Sequence, residues 1–231
     1  MIEPIVRLED VRFRWPGQIR DLLHIPNLAL HRGEHLFIQG PSGSGKTTLL
    51  NLLTGIYLPT AGAIAILGTE LTALSSSQRD GLRADYLGVI FQQFNLLPYL
   101  SLLENVQLPC EFSNIKKGKC GDVRTASKQL LSRLGLEDSL LNQPVSKLSV
   151  GQQQRAAVAR ALIGSPEIVI ADEPTSALDR QNRDRFIDLL FQETKEQGST
   201  LIFVSHDEYI ARQFEHVVQL EQVNAAGNDL S

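Results

Sequence analysis

The sequence predicts an α/β fold: a mainly parallel sheet flanked by helices, with an antiparallel β lobe and a helical lobe attached. Three observations carry that expectation. Four short runs, Leu36-Phe37-Ile38, Leu87-Gly88-Val89-Ile90-Phe91, Ile168-Val169-Ile170-Ala171 and Leu201-Ile202-Phe203-Val204, are continuously apolar. Runs of this length suit strands covered on both faces, as in a parallel sheet between layers of helices. Segments with helical patterning alternate with them at 46–55, 151–164 and about 180–197, which is the rhythm of an α/β chain. Residues 5–15 and 62–67 instead mix polar and apolar positions, as antiparallel strands with one wet face do. Residues 93–147 break the α/β rhythm and read as mostly helical. The expected organisation is a single domain over 1–231, with a helical lobe at about 93–164 inserted in the α/β core.

Composition narrows the functional classes. With 42% hydrophobic and 21% charged residues the chain is ordinary globular material rather than a disordered one. A formal charge of −4 argues against sequence-independent nucleic-acid binding, which needs a basic surface. Cys110 and Cys120, the two cysteines, read as free thiols of a reducing compartment. His24, His31, His35 and His216 show no ligand-like clustering. Met1-Ile2-Glu3-Pro4 lacks the basic start and apolar stretch of a signal peptide. No run reaches the roughly 18 apolar residues of a membrane-spanning helix, so any membrane work is expected of another chain. The run Ile115-Lys116-Lys117-Gly118-Lys119 reads as a solvated loop.

The residues just beyond each apolar run are chemically informative. The first run leads into a glycine-rich loop, the second into Gln92, the third into Asp172-Glu173, and the fourth into Ser205-His206. In open α/β sheets ligands bind at the carboxyl ends of the strands. A phosphate cradle, an amide, two carboxylates and an imidazole are therefore expected on one edge.

Gly40-Pro41-Ser42-Gly43-Ser44-Gly45-Lys46-Thr47 matches the P-loop pattern G-x-x-x-x-G-K-[ST]. Glycines let backbone N–H groups turn inward around phosphates. The helix start adds a positive dipole end, and Lys46 adds a point charge for the β and γ phosphates. The Thr47 hydroxyl suits Mg²⁺, a hard ion that prefers oxygen. The competing account, a glycine turn that merely caps a helix, leaves the lysine and threonine unexplained. Asp172 and Glu173 end a buried strand before Pro174. Without the glycine loop they would read as exposed turn carboxylates; with it, Asp172 suits the Mg²⁺ shell and Glu173 suits activation of an attacking water.

Leu148-Ser149-Val150-Gly151-Gln152, followed by Gln153-Gln154-Arg155-Ala156-Ala157-Val158-Ala159-Arg160-Ala161-Leu162, resembles the LSGGQ signature of ABC ATPases. The resemblance runs from about residue 5 to about residue 221, with the motifs in the family's order. It implies an ATP-hydrolysing subunit using ATP and Mg²⁺. Trp15 takes the place of the aromatic that stacks on adenine, and Gly40 to Thr48 is the P-loop. Gln92 looks like the glutamine that touches Mg²⁺ and water, and Ser149, Gly151 and Gln152 form the signature. Asp172 and Glu173 match the metal aspartate and the catalytic base, Ser176-Ala177-Leu178-Asp179 the D-loop, and His206 the switch histidine at the γ-phosphate.

The signature also has a physical reading. Ser149 is a good N-cap, so the helix after it offers a second set of N–H groups and a second positive end. A second anion-binding helix end is explained if it closes on the ATP of a twin subunit in a two-fold dimer. Val150 stands where the family has glycine. At the first helical position no positive φ is needed, so a β-branched residue is tolerable there.

Phe91-Gln92-Gln93-Phe94-Asn95-Leu96-Leu97-Pro98 with Glu104-Asn105-Val106 resembles the lipoprotein-releasing, macrolide-export and cell-division group of the family. Phe94, Leu96, Leu97, Tyr99 and Leu100 are expected to divide between lobe core and a groove for a membrane partner. The resemblance implies a homodimer on the inner face of the cell membrane, beneath separate transmembrane permease subunits. A periplasmic adaptor is a further candidate partner, and nucleic acid is not expected. The alternatives are a cell-division-type ATPase that signals without moving solute, an importer ATPase, and a soluble ABC protein of DNA repair or translation. The last lacks support, because the chain has no coiled coil, zinc module or second ATPase domain.

Overall fold

The computed structural model describes residues 3–176 and 178–227. Strands β1 (Val6–Phe13), β2 (Leu23–Leu30) and β3 (His35–Gln39) precede helix α1 (Lys46–Leu53). Next come β4 (Ala61–Ile66), β5 (Thr69–Glu70), α2 (Ser76–Tyr86) and β6 (Leu87–Ile90). Then come helices α3 (Leu102–Phe112), α4 (Asn114–Cys120), α5 (Val123–Arg133) and α6 (Val150–Leu162). The last elements are β7 (Ile168–Asp172), α7 (Arg180–Gln197), β8 (Thr200–Ser205), α8 (Glu208–Ala211), β9 (His216–Gln219) and α9 (Leu220–Val223). The chain divides into two units, Met1–Arg83 with Thr200–Ser231, and Ala84–Ser199.

The first unit holds the antiparallel lobe expected from the mixed strands. Its sheet runs β2-β1-β4-β5, with Leu8 opposite Leu28 on one side and Ile64 on the other. Alternation along β1 buries Val6, Leu8, Val11 and Phe13. The pairing of β1 with β4 shifts register between Glu9 and Arg12, and Asp10 takes a φ of 46° there. Gly62 is required opposite this bulge. Its φ is 81°, and a Cβ would stand 2.1 Å from the Asp10 carbonyl oxygen.

The same unit carries three parallel strands, with β3 paired to β8 and to β9. Every residue of β8 is buried, as the unbroken apolar run requires. Phe37 and Phe203 stack at 5.7 Å between centroids, and Phe214 leans on both. Arg79 and Arg83 of α2 donate to the carbonyls of Gly55 and Thr54. These two cations thus satisfy orphan acceptors just beyond the C-terminal end of α1, where the dipole favours positive charge.

In the second unit β6 and β7 pair in parallel, with Ile90 opposite Ala171. Helices start where their caps dictate. Ser101 and Glu104 form a capping box for α3, Ser113 caps α4, Asp122 caps α5 and Asp179 caps α7. α6 lies so close to β6 that a Cβ on Gly88 would be 2.1 Å from the Ala161 carbonyl oxygen.

Several elements depart from the sequence reading. β2 escaped it because Pro26 interrupts the run; as the edge of its sheet it can spare the N–H that proline lacks. α2 buries none of its residues, so it has no apolar face to read. The run at 115–119 forms most of α4 rather than a solvated loop. Lys116 is 3% exposed and its Nζ donates to the Leu87 carbonyl at 2.7 Å. Of the five apolar residues between Phe94 and Leu100, only Phe94 is buried, and Tyr99 is 76% exposed.

Candidate active site

In the first unit, β3 and β8 run parallel with Gln39 opposite Ser205. The glycine loop and His206 therefore leave neighbouring strands at the same level. Gly43 and Gly45 take φ of 82° and 97°, left-handed values that a side chain would resist. A Cβ on Gly45 would also meet Leu23 Cδ2 at 2.9 Å. Gly45 is the N-cap of α1, and no side chain caps that helix end. Its first turn thus directs N–H groups and a positive dipole end toward the loop.

Lys46 is buried, and its Nζ donates to the carbonyls of Gly40 at 2.7 Å and Pro41 at 2.9 Å. The ammonium is thereby held across the mouth of the loop. Ser44 Oγ is buried without a hydrogen-bond partner, and a Cβ on Gly40 would press on it at 2.6 Å. A cradle lined by N–H groups, one cation and an unsatisfied hydroxyl fits a phosphate group. Pro41, Ser42 and Thr47 are exposed along its rim, whereas Thr48 is buried beneath it. Trp15 is 39% exposed and meets Phe13 and Tyr57 edge-on at 5.0 and 5.2 Å.

The second unit gathers the amide and the carboxylates. Gln92 lies exposed two residues beyond Ile90, and Asp172 closes β7, the strand paired to β6. Glu173 has a φ of 46°. For a residue with a Cβ that conformation costs on the order of 1–3 kcal/mol and tends to persist at functional sites. Here Pro174 is held from outside: Gln154 of α6, 3% exposed, donates its amide to the Pro174 carbonyl at 3.0 Å.

A second link runs from α6 to the segment after Gln92. Phe94 and Asn95 both have positive φ, and Arg160 donates to their carbonyls at 2.6 Å each. Burial lowers the Arg160 pKa below its ordinary value. The sequence reading missed Gln154 and Arg160. The signal was present: both are polar residues on a helix whose Ala156, Ala157, Val158, Ala159, Ala161 and Leu162 are buried.

The signature occupies the start of α6. Ser149 is its N-cap, with Oγ accepting from Gln152 N while Gln152 Oε1 accepts from Ser149 N at 2.9 Å. The Gln152 side chain is thus engaged in the cap. The helix tip lines a cavity of about 690 Å³ together with Arg155, Asp179, Asn182 and Arg185. Hydrogen bonds from Asn182 hold the Asp179 carboxyl below its usual pKa. Ala177 of the D-loop lies outside the described residues.

Val150 begins α6 and is 54% exposed. Its φ is not positive, so its backbone does not call for glycine. Val150→Gly is expected to change ATP turnover by less than about tenfold, equivalent to about 1.4 kcal/mol in barrier. A steady-state phosphate-release assay on both proteins checks this.

A parallel strand feeding a glycine-wrapped lysine at a helix start defines a P-loop nucleotide-binding protein. A sequence model of the ABC transporter family matches residues 23–176, and the chain belongs to that family. It is 40% identical over 219 residues to an ABC transporter ATP-binding protein, MJ0796, of Methanocaldococcus jannaschii, covering 94% of this chain and 93% of that one. It is 36% identical over 233 residues to the macrolide export ATP-binding/permease protein MacB of Burkholderia thailandensis, covering 100% of this chain and 35% of that one. Among solved structures it is similar to the dimeric post-hydrolysis ATP-binding cassette MJ0796 bound to ADP and Pi. That likeness has a TM-score of 0.81 at 37% identity, with 93% of each chain covered. The protein is an ABC ATPase.

Proposed function

We propose that this ATPase works as a homodimer that grips two ATP–Mg²⁺ and drives separate membrane-spanning permease subunits, for export or for extrusion of a lipoprotein or peptide. The observation that carries the reading is a second anion-binding helix end in the same chain. α1 offers one beside Lys46, and α6 offers another beside Ser149. One chain needs only the first for its own phosphates; the second serves the nucleotide of the twin. The dimeric MJ0796 cassette and the export permease MacB, both similar to this chain, support the dimer and the membrane partner.

The roles reflect each group's chemistry. The loop from Gly40 through Pro41, Ser42, Gly43, Ser44 and Gly45 to Lys46, Thr47 and Thr48 holds the phosphates. Trp15 supplies an aromatic face for adenine. Thr47, Gln92 and Asp172 provide the oxygen donors that suit Mg²⁺, which when bound neutralises charge on the β and γ phosphates. Glu173 accepts the proton of the attacking water and His206 donates toward the γ-phosphate. Gly151 presents its backbone N–H to the partner's nucleotide, with Ser149 and Gln152 holding the helix cap in shape. The lobe at about 93–164, with Tyr99 exposed, receives the membrane partner on the inner face of the membrane.

The test is affinity purification of the tagged chain from detergent-solubilised membranes. The expected result is stoichiometric recovery of a multi-spanning protein that alters ATP turnover. A nucleotide-bound dimer that brings down no membrane protein under any nucleotide condition would overturn the transport reading while leaving the ATPase intact.

A further inference from the structure

Cys110, near the C-terminal end of α3, and Cys120, the last residue of α4, are free thiols whose Sγ atoms lie 3.7 Å apart. A disulfide bond is about 2.05 Å long, so closure needs a displacement of about 1.7 Å. The two ends of α4 are held differently. Upstream, the helix is anchored by Lys116 Nζ on the Leu87 carbonyl, by Ser113 Oγ on Asp85, and by Gly164, where a Cβ would come within 2.8 Å of Lys116 Cα. Downstream, added Cβ atoms on Gly118 and Gly121 would meet nothing within 4 Å, and Gly121 turns the chain at a φ of 65°. The C-terminal turn carrying Cys120 therefore sits between two open glycines, held from outside through the long side chain of Lys119, whose Nζ donates to the Ser165 carbonyl at 2.9 Å and to Glu167 at 3.1 Å.

The two thiols differ in access. Cys110 is 2% exposed. Cys120 is half-buried and lines a cavity of about 240 Å³ with Lys119, Gln129, Arg133 and Gln197. Gln197 Oε1 is buried with no hydrogen-bond partner, an acceptor that an entering amide or hydroxyl can satisfy.

We propose that Cys110 and Cys120 form a reversible dithiol–disulfide pair, Cys120 receiving a low-molecular-weight disulfide such as oxidised glutathione and Cys110 resolving it. In the first step the Cys120 thiolate attacks one sulfur of the small disulfide. The S–S bond of the small molecule breaks, a mixed disulfide forms on Cys120, and one small thiolate leaves. In the second step the Cys110 thiolate attacks the Cys120 sulfur, forming the Cys110–Cys120 bond and expelling the second small thiolate. The two protons from the protein thiols end on the two released thiolates. The protein loses two electrons and the small disulfide gains them.

Burial first, and then the neighbouring Cys120, push the Cys110 thiol up to about 12. Cys110 is thus a poor first nucleophile, and capping Cys120 removes one cause of the shift. Lys116 beside it favours its thiolate. Once closed, the bond ties α3 to α4, which holds Leu87 at the start of β6, the strand that leads to Gln92.

The test uses the full folded chain exposed to oxidised glutathione, followed by maleimide trapping and peptide mass spectrometry. The expected product has lost two hydrogens and joins the peptides of Cys110 and Cys120. Return of both thiols under reduced glutathione is also expected. In the reduced protein Cys120 should be alkylated more than about tenfold faster than Cys110. Cys110→Ser should stop at the mixed disulfide on Cys120; if that variant is misfolded, Cys110→Ala serves the same purpose. Two results would overturn the proposal: wild-type protein that accumulates only the mixed disulfide, and wild-type protein whose two thiols both stay maleimide-reactive under excess oxidised glutathione. None of these readouts requires ATP, so failure here is distinct from failure of the transport reading.

Discussion

Glu173→Gln is expected to bind ATP with near wild-type affinity while turnover falls by about 10²–10⁴-fold, the usual contribution of a general base. The amide has nearly the shape of the carboxylate but cannot take a proton from water. Its backbone can keep the left-handed φ of 46°, because the bond from Gln154 to the Pro174 carbonyl does not involve the substituted side chain. Binding without hydrolysis should trap the closed state, so a dimer should accumulate with ATP in size-exclusion chromatography with light scattering. The wild type should show it only transiently. Normal hydrolysis by the variant would assign the base to another group.

Lys46→Ala is expected to lower turnover at least about 100-fold, the scale on which one charged donor to a developing phosphate charge contributes. Nucleotide affinity should weaken as well, because a charge-assisted hydrogen bond is worth about 1.5–3 kcal/mol. The ammonium also bonds to the Gly40 and Pro41 carbonyls, so loss of charge must be told apart from a rearranged loop. A thermal melt separates the two. An unchanged midpoint with lost turnover isolates the charge, and retention of more than about a tenth of wild-type turnover would refute the cradle.

Much of this architecture was legible in the chain because its strongest signals are local. Each unbroken apolar run became a parallel strand, and each helix-period segment between them became a helix. Residues 180–197 did so from end to end, since Asp179 caps one terminus and Gly198 closes the other at a φ of 66°. The glycine loop was readable for the same reason: its conformation is dictated by glycines at fixed spacing. The elements that escaped were set by tertiary context. β2 is a strand despite Pro26 because it lies at a sheet edge, and Lys116 is buried because Leu87 offers a carbonyl to its ammonium. The helical segment exposes Tyr99, Phe112 and Ile115, and single-chain patterning cannot distinguish a docking residue from a core residue. Gln154 and Arg160 stood out only as polar residues on a largely buried helix face, because their partners are main-chain oxygens, which no side-chain motif announces.

Those two main-chain attachments turn α6 into a mechanical element. The helix rises about 1.5 Å per residue, so roughly 16 Å of stiff rod separates Ser149 at its tip from Arg160 near its base. Arg160 clamps the carbonyls of Phe94 and Asn95, and Gln154 clamps that of Pro174. A load applied to the segment after Gln92 must therefore either break two short charge-assisted bonds or swing the rod and displace the tip. The same rod bears on the turn that strains Glu173, so tilt at one end is felt at that carboxylate without any change in secondary structure.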